Sequence, residues 1–241
     1  MPAPASAFLA LWNDADPARD AEYEAWHTFE HVPERVANPG FVAGRRYRAA
    51  ERVTQRYFTL YTLASLDALR TARYAEVVER PTAWSQRMRP ALRDLRRCAC
   101  DVVASAGRGR GGAMATLVLD ADPASFDVPA MARELAERAD RDGIVAISFG
   151  AADTTSPFPL AAALRTQPAG GPQCVLLVEA LDRPRADACL AALEAHFGRS
   201  GASALCVSYD LVFEVERGDL AGADEARPAP RDDLRMRWVP A

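Results

Sequence analysis

No lysine occurs in this chain; all 29 of its basic residues are arginine. Alanine is abundant as well, and the two biases together reflect a GC-rich coding sequence rather than a task. Long apolar runs are missing: none approaches the ~20 residues of a membrane-spanning helix. The Met-Pro-Ala-Pro-Ala-Ser start has neither the basic opening nor the apolar stretch of a signal peptide. A cytoplasmic protein with no membrane partner is expected. Excess positive charge is missing too. A net charge of −4 with 26% charged and 49% apolar residues describes an ordinary folded protein and excludes a basic nucleic-acid footprint.

Several catalytic signatures are also absent. There is no nucleophilic serine elbow, no Rossmann glycine pattern and no P-loop. The glycine run at 107–112 comes nearest, but an apolar strand follows it where a phosphate loop needs a helix N-terminus, so it reads as a linker. The five cysteines are an odd number, and Cys98-x-Cys100 is too tightly spaced for a zinc ribbon. With Cys174, Cys189 and Cys206 in apolar runs, all five are expected to be reduced and mostly buried.

What is present is a repeated order of elements. The 241 residues suffice for one large domain or two of about 100 residues each. A strand at 7–12 is followed by a helix whose Ala18, Ala21, Ala25, Phe29, Val32 and Val36 form one apolar stripe. Asn38-Pro39-Gly40 stops it, and a strand at 41–48 is expected to carry Phe41, Ala43, Arg45 and Tyr47 on one face. A strand at 56–63, a helix at 66–78, a helix opened by Pro81-Thr82 with Trp84, Met88, Leu92 and Leu95 on one stripe, and a strand at 98–105 complete a βαββαβ order.

The second half repeats that order with little residue identity: strand 114–119, a helix capped by Asp127, strands 144–149 and 174–181, a helix capped by Asp182, and strand 205–214. The reading is α+β, two tandem ferredoxin-like units at 1–106 and 113–217, a linker at 107–112 and a tail at 218–241. Residues 151–171 form a connection too long for a hairpin, and the tail ends Met236-Arg-Trp-Val, so Trp238 is expected to dock on the body.

Candidate chemistry concentrates at 23–47, which holds two of the three histidines. At ~100° per residue His27, Glu30, His31 and Glu34 share the helix face opposite Phe29, alongside Tyr23. Pro33 cannot donate to the Phe29 carbonyl, so the helix is expected to break near His31 and turn His31 and Arg35 toward the end of strand one, where Trp12 and Asn13 lie. Phase leaves His27 on the outer face. Three readings stay open: a functional site, a structural polar network, or a solvated helix face. On the first, His31 transfers a proton, with Glu30 or Glu34 orienting it. Arg45 then anchors the anionic group of an aromatic or enolisable acidic small molecule, which Arg35, Tyr47, Trp12, Asn13, Tyr23 and His27 also contact. A metal ion is not expected, because His27, Glu30 and His31 lack a further ligand and Pro33 interrupts the helix that such a motif needs. His196 reads as a helix C-terminal interaction.

Trp26-His27-x-x-Glu30-His31-x-Pro33-Glu34-Arg35, then Pro39-Gly40-Phe41, Arg45-Arg46-Tyr47 and Pro81-Thr82-x-Trp84, resembles the dimeric α/β-barrel superfamily, particularly its EthD-like members, over about residues 7–105. The resemblance implies that two ferredoxin-like units pack sheet to sheet, here within one chain, and that the Glu30-His31-x-Pro33 segment lines a pocket. The first helix of the second half has no histidine, so one such site per chain is implied. Members include isomerases, polyketide cyclases, cofactor-free monooxygenases and haem-dependent enzymes, so fold leaves the reaction open. The expectation is an isomerase, cyclase or cofactor-free monooxygenase with no cofactor, a small-molecule ligand and a homo-oligomeric assembly. A non-catalytic binding or structural protein, or a haem-binding one, is the alternative.

Overall fold

Eight antiparallel strands close into one barrel in the computed structural model, which describes residues 6–50, 54–154, 172–197, 202–223 and 225–239. The strands are β1 (Ala7–Ala15), β2 (Phe41–Arg48), β3 (Tyr57–Leu63), β4 (Leu92–Gly107), β5 (Ala113–Asp120), β6 (Ile144–Ala152), β7 (Gln173–Ala180) and β8 (Ala202–Glu216). Around the barrel they run β1-β3-β2-β8-β5-β7-β6-β4. The halves of the chain therefore meet at two seams, β2 against β8 and β4 against β6.

Strand alternation decides what each face meets. Trp12, Tyr47, Phe58, Met114, Val118, Leu177 and Tyr209 point inward and fill the barrel. Phe58 sits 5.1 Å from Trp12, 5.6 Å from Tyr47 and 5.5 Å from Tyr209, ring centre to ring centre. Burying one such aromatic contributes about 4–6 kcal/mol of transfer free energy, so the interior is a core and not a channel.

The outer faces carry helices. Over the first four strands lie α1 (Asp20–Trp26), a wide π-helical turn at His27–His31, α2 (Val32–Val36), α3 (Ala72–Glu79) and α4 (Ala83–Met88). In the second half α5 (Val128–Arg138) covers the end of β4 and part of β6, and α6 (Arg183–Phe197) covers β5, β7 and β8, on an apolar layer that includes Leu117, Leu119, Met131, Leu135, Leu176, Val178, Ala186 and Leu193. The glycines between β4 and β5 serve close approach: a Cβ on Gly111 would fall 2.0 Å from the Ala180 carbonyl oxygen. Beyond β8 the tail returns to the first half and ends in α7 (Asp232–Arg235), whose Leu234 packs beside Tyr23, Trp26 and Trp84.

Four local expectations are corrected. The helix opened by Thr82 stops at Met88, and β4 begins at Leu92, because Pro90 cannot continue a helix; Leu92 and Leu95 are strand residues. Phe41 does not share a face with Arg45 and Tyr47. The register of β2 on β3 shifts between Phe41 and Ala43, which turns Phe41 to the helix side while Arg45 and Tyr47 stay inside. The apolar stripe on the first helix fails at Phe29, which is 52% exposed, although Val32 and Val36 are buried. The predicted break at Pro33 is also absent, for a reason that shapes the site. The connection at 155–171 and the His196 side chain fall outside the described residues.

Candidate functional site

Pro33 leaves the Phe29 carbonyl without its usual helical donor. The chain answers by widening one turn: the Val32 N–H donates to the His27 carbonyl, five residues back. That wider turn brings residues four apart nearly into line, and it carries His27 and His31 to the same inward face. Their rings stack 5.0 Å apart, with Tyr23 5.1 Å beyond His27 and Trp26 4.5 Å from His31. His27 therefore does not lie on the outer face; it is 6% exposed.

The rings of Trp26, His27 and His31 form one wall of a cavity of ≈ 370 Å³ between the helices and the outer face of the first four strands, with Tyr23 behind His27. Its floor comes from alternate residues of three strands: Leu11 and Asn13 of β1, Thr59 and Tyr61 of β3, Leu95 and Arg97 of β4. Tyr74 and Val78 of α3, Ser85 of α4 and Arg89 close the far side. Ser85 also receives the Trp26 indole N–H at 3.2 Å, and Asn13 exchanges hydrogen bonds with the Tyr23 hydroxyl at 3.1 Å and 3.2 Å, so two walls are fixed by polar contacts.

Several buried polar atoms here have no hydrogen-bond partner: His27 Nδ1, His31 Nδ1, Arg35 Nη1 and the Tyr61 hydroxyl. Such groups cost free energy unless something pairs with them, so their convergence on one cavity marks a place built for a polar ligand. Burial is the main cause holding both histidines well below the ordinary imidazole range, with the positive charges of Arg46 on His27 and Arg35 on His31 adding to it. Both are neutral at pH 7, and this environment disfavours their protonated forms until an anion enters beside them. Burial pushes the Tyr23 hydroxyl up to about 12 and Tyr61 higher still.

Arg35, Arg89 and Arg97 line the cavity, against one carboxylate, Glu79, which is solvent-exposed. The Arg35 guanidinium lies 5.8 Å over the Tyr74 ring, and Arg89 donates to the Val78 carbonyl at 2.7 Å. A ligand entering this space meets net positive charge and aromatic faces.

The residues expected from sequence thus separate into three groups. His27, His31, Arg35, Asn13 and Tyr23 come together around the cavity. Trp12, Arg45 and Tyr47 do not; they are on the other side of the sheet. Trp12 donates to Thr116 Oγ1 at 3.1 Å inside the barrel, and Arg45 pairs with Glu179 of β7 at 2.6 Å and with Glu214 across the β2–β8 seam at 3.1 Å. Arg46 takes the helix side instead, bonded to Thr28 and to Glu24 with its guanidinium 5.6 Å over Tyr23.

Glu30 and Glu34 form the third group. Neither orients a histidine, because the tail holds both. Glu30 accepts from Thr82 Oγ1 at 2.6 Å and from the Arg231 N–H at 2.7 Å; Glu34 accepts from Arg227 at 2.6 Å. Burial raises the Glu30 carboxyl above its ordinary range.

Trp26, Thr59, Tyr61, Tyr74, Ser85, Arg89 and Arg97 were not anticipated. For Thr59, Tyr61 and Arg97 a signal existed, since period-2 alternation puts polar or charged side chains on a sheet face that helices must cover. Among the described residues no group of three or more His, Cys, Asp and Glu could hold a metal ion, and no helix is long and apolar enough to cross a membrane.

No protein-family model and no curated protein matches this sequence. Solved structures do match in fold. An anthrone oxidase-like protein aligns with TM-score 0.60 at 16% identity, over 88% of this chain and 93% of that one. A monooxygenase candidate from Lactobacillus acidophilus aligns with TM-score 0.53 at 8% identity, over 88% and 96%. A haem-binding protein from Thermus thermophilus aligns with TM-score 0.51 at 11% identity, over 88% and 95%. At these identities the likeness is one of fold: an α+β architecture on an eight-stranded antiparallel barrel.

Proposed function

We propose that this protein is an enzyme that transfers a proton on a small, enolisable aromatic compound carrying an anionic group, as an isomerase, cyclase or cofactor-free monooxygenase does. The observation that carries this reading is the pair of neutral histidines, His27 buried and His31 half-buried, whose Nδ1 atoms lack a hydrogen bond, beside an Arg35 Nη1 that also lacks one, all lining one cavity. His31 takes the proton, since it is the less buried of the pair and adjoins Arg35. Arg35 anchors the anion through charge-assisted hydrogen bonds, and Trp26 and Tyr74 supply flat apolar walls for the ring. His27 stacks on His31 and fixes its plane.

In this reading Glu30 and Glu34 are structural, because both are occupied by the tail and by Thr82. The chain is taken as two ferredoxin-like units, 1–106 and 113–217, joined at 107–112, with an EthD-like site in the first unit. Support for the repeat is the strand order: β4-β1-β3-β2 and β8-β5-β7-β6 are the same sequence of positions taken twice around the barrel. A haem ligated by both histidines does not fit, because His27 and His31 face each other ring on ring between Tyr23 and Trp26, with no gap for a macrocycle between them.

The anthrone oxidase-like neighbour suggests the test compound, an anthrone bearing one ring carboxylate. Under argon in D₂O, wild-type protein is expected to accelerate exchange of its methylene protons, followed by proton NMR, and His31→Ala to return the rate to background while remaining folded. No acceleration by wild type, or equal acceleration by His31→Ala, contradicts the proposal.

A further inference from the structure

Arg35 has an acidic neighbour in sequence, and the two form only a loose ion pair with no hydrogen bond between them. Glu34 Oε1 accepts two bonds from Arg227, at 2.9 Å from Nε and 2.6 Å from Nη2. Its other oxygen, Oε2, is buried without a hydrogen-bond partner and stops 3.7 Å from Arg35 Nη1, which is equally buried and equally unpartnered. Two opposite charges in a dry environment ordinarily close that distance, since a direct guanidinium–carboxylate bond is among the strongest a protein makes. Here the bond is left unmade.

Consecutive helix positions do not face each other, and the tail adds a second constraint on Glu34. Arg227 is itself held in place, donating to the Arg80 carbonyl at 2.8 Å, while the adjacent Ala226 carbonyl accepts from Arg73 and the Arg231 N–H caps Glu30 at 2.7 Å. The tail is therefore pinned to α2, to α3 and, through Glu30 and Thr82, to the start of α4, all of them around the cavity. From that position Arg227 holds the Glu34 carboxylate by Oε1, which accepts both of its hydrogen bonds.

We propose that Arg227 is a positioning residue: by holding Glu34 off Arg35, it keeps the Arg35 guanidinium available to the carboxylate of a ligand and so sets the preference of the cavity for anions. This rests on the reading that the cavity takes an aromatic anion. Without Arg227, Glu34 is an internal competitor tethered beside its target, at an effective concentration no free ligand matches. A neutral ligand of the same shape does not compete for Arg35 and is indifferent to the change.

The test is calorimetric titration of the full chain with 2-naphthoate and with 2-naphthol as probes. Wild type is expected to bind naphthoate more tightly than naphthol. Arg227→Gln is expected to weaken naphthoate by about tenfold or more while naphthol changes by less than about twofold. Glu34→Gln combined with Arg227→Gln removes the competitor and is expected to restore naphthoate binding.

Unchanged naphthoate binding in Arg227→Gln overturns the inference and leaves the cavity reading standing. So does an equal loss of both probes that the double variant fails to restore. Wild type binding neither probe overturns the cavity reading and this inference with it. Should Arg227→Gln fail to fold, Glu34→Gln alone decides: binding of naphthoate at least as tight as wild type supports the inference, and weaker binding overturns it.

Discussion

At the scale of single residues the account rests on His31 and Arg35. Replacing a general base lowers turnover by about 10²–10⁴-fold, so His31→Ala is expected to fall in that range on a competent substrate, measured as kcat/KM. Arg35→Gln is expected to raise KM for a carboxylated substrate far more than it lowers kcat, because the anchor acts alike in ground and transition states.

The histidines also leave a mark on stability. Both have folded pKa values well below the ~6.5 of the unfolded chain. Above pH 6.5 neither state binds the protons and nothing is lost. As pH falls below 6.5 the unfolded chain takes them up and the folded protein does not, so stability drops until the folded pKa values are reached. Glu30, raised by burial, acts in the opposite sense at lower pH. The expected result is that Tm declines from pH 7 to pH 5 in wild type, and less steeply in a His27→Asn, His31→Asn variant. Equal slopes would contradict the burial of neutral imidazoles.

At the scale of elements, the wide turn at His27–His31 and the bulge near Phe41 carry the site. Both were invisible in a sequence read with ideal periods. A proline at position 33 is compatible with a break or with a widened turn, and the choice depends on what Val32 and Val36 gain by packing on β2. That packing is tight: a Cβ on Gly44 would lie 2.7 Å from side-chain carbons of both valines. Gly44→Ala is therefore expected to lift α2 off the sheet and cost about 1–3 kcal/mol, read by urea unfolding. It should also weaken ligand binding, since α2 carries Arg35.

The bulge had a larger consequence. Counting alternation straight through from Phe41 assigns Arg45 to the site, and the one-residue shift hands the helix side to Arg46. By contrast the element order, the caps at Thr82 and Asp127 and the stop at Asn38-Pro39-Gly40 were legible, because each is fixed by local chemistry. The carboxylates misled for another reason. Their partners, Arg227 and the Arg231 N–H, lie some 200 residues away in sequence, and no local pattern links them to Glu34 and Glu30.

At the scale of the whole molecule, the two halves of the chain share one barrel and cannot part without opening two seams. Arg45 of the first half is 6% exposed and bound to Glu179 and Glu214 of the second. Glu179→Gln leaves much of that buried charge uncompensated and is expected to cost up to about 3 kcal/mol, with one cooperative calorimetric transition retained in both proteins. Two separate transitions in wild type would contradict a barrel shared by both halves. The second half packs a continuous apolar layer under α5 and α6 and supplies four of the eight strands of the barrel on which the first half carries the cavity.

The central claim is that this cavity binds an aromatic anion between His31 and Arg35. Its most direct test is a crystal structure with 3-hydroxy-2-naphthoate, which carries a phenol and a carboxylate on one flat frame. The account predicts the ring between Trp26 and Tyr74, the carboxylate on Arg35 and the phenol toward His31. Ligand seated inside the barrel near Arg45, or a cavity that stays empty at saturating ligand, would contradict it.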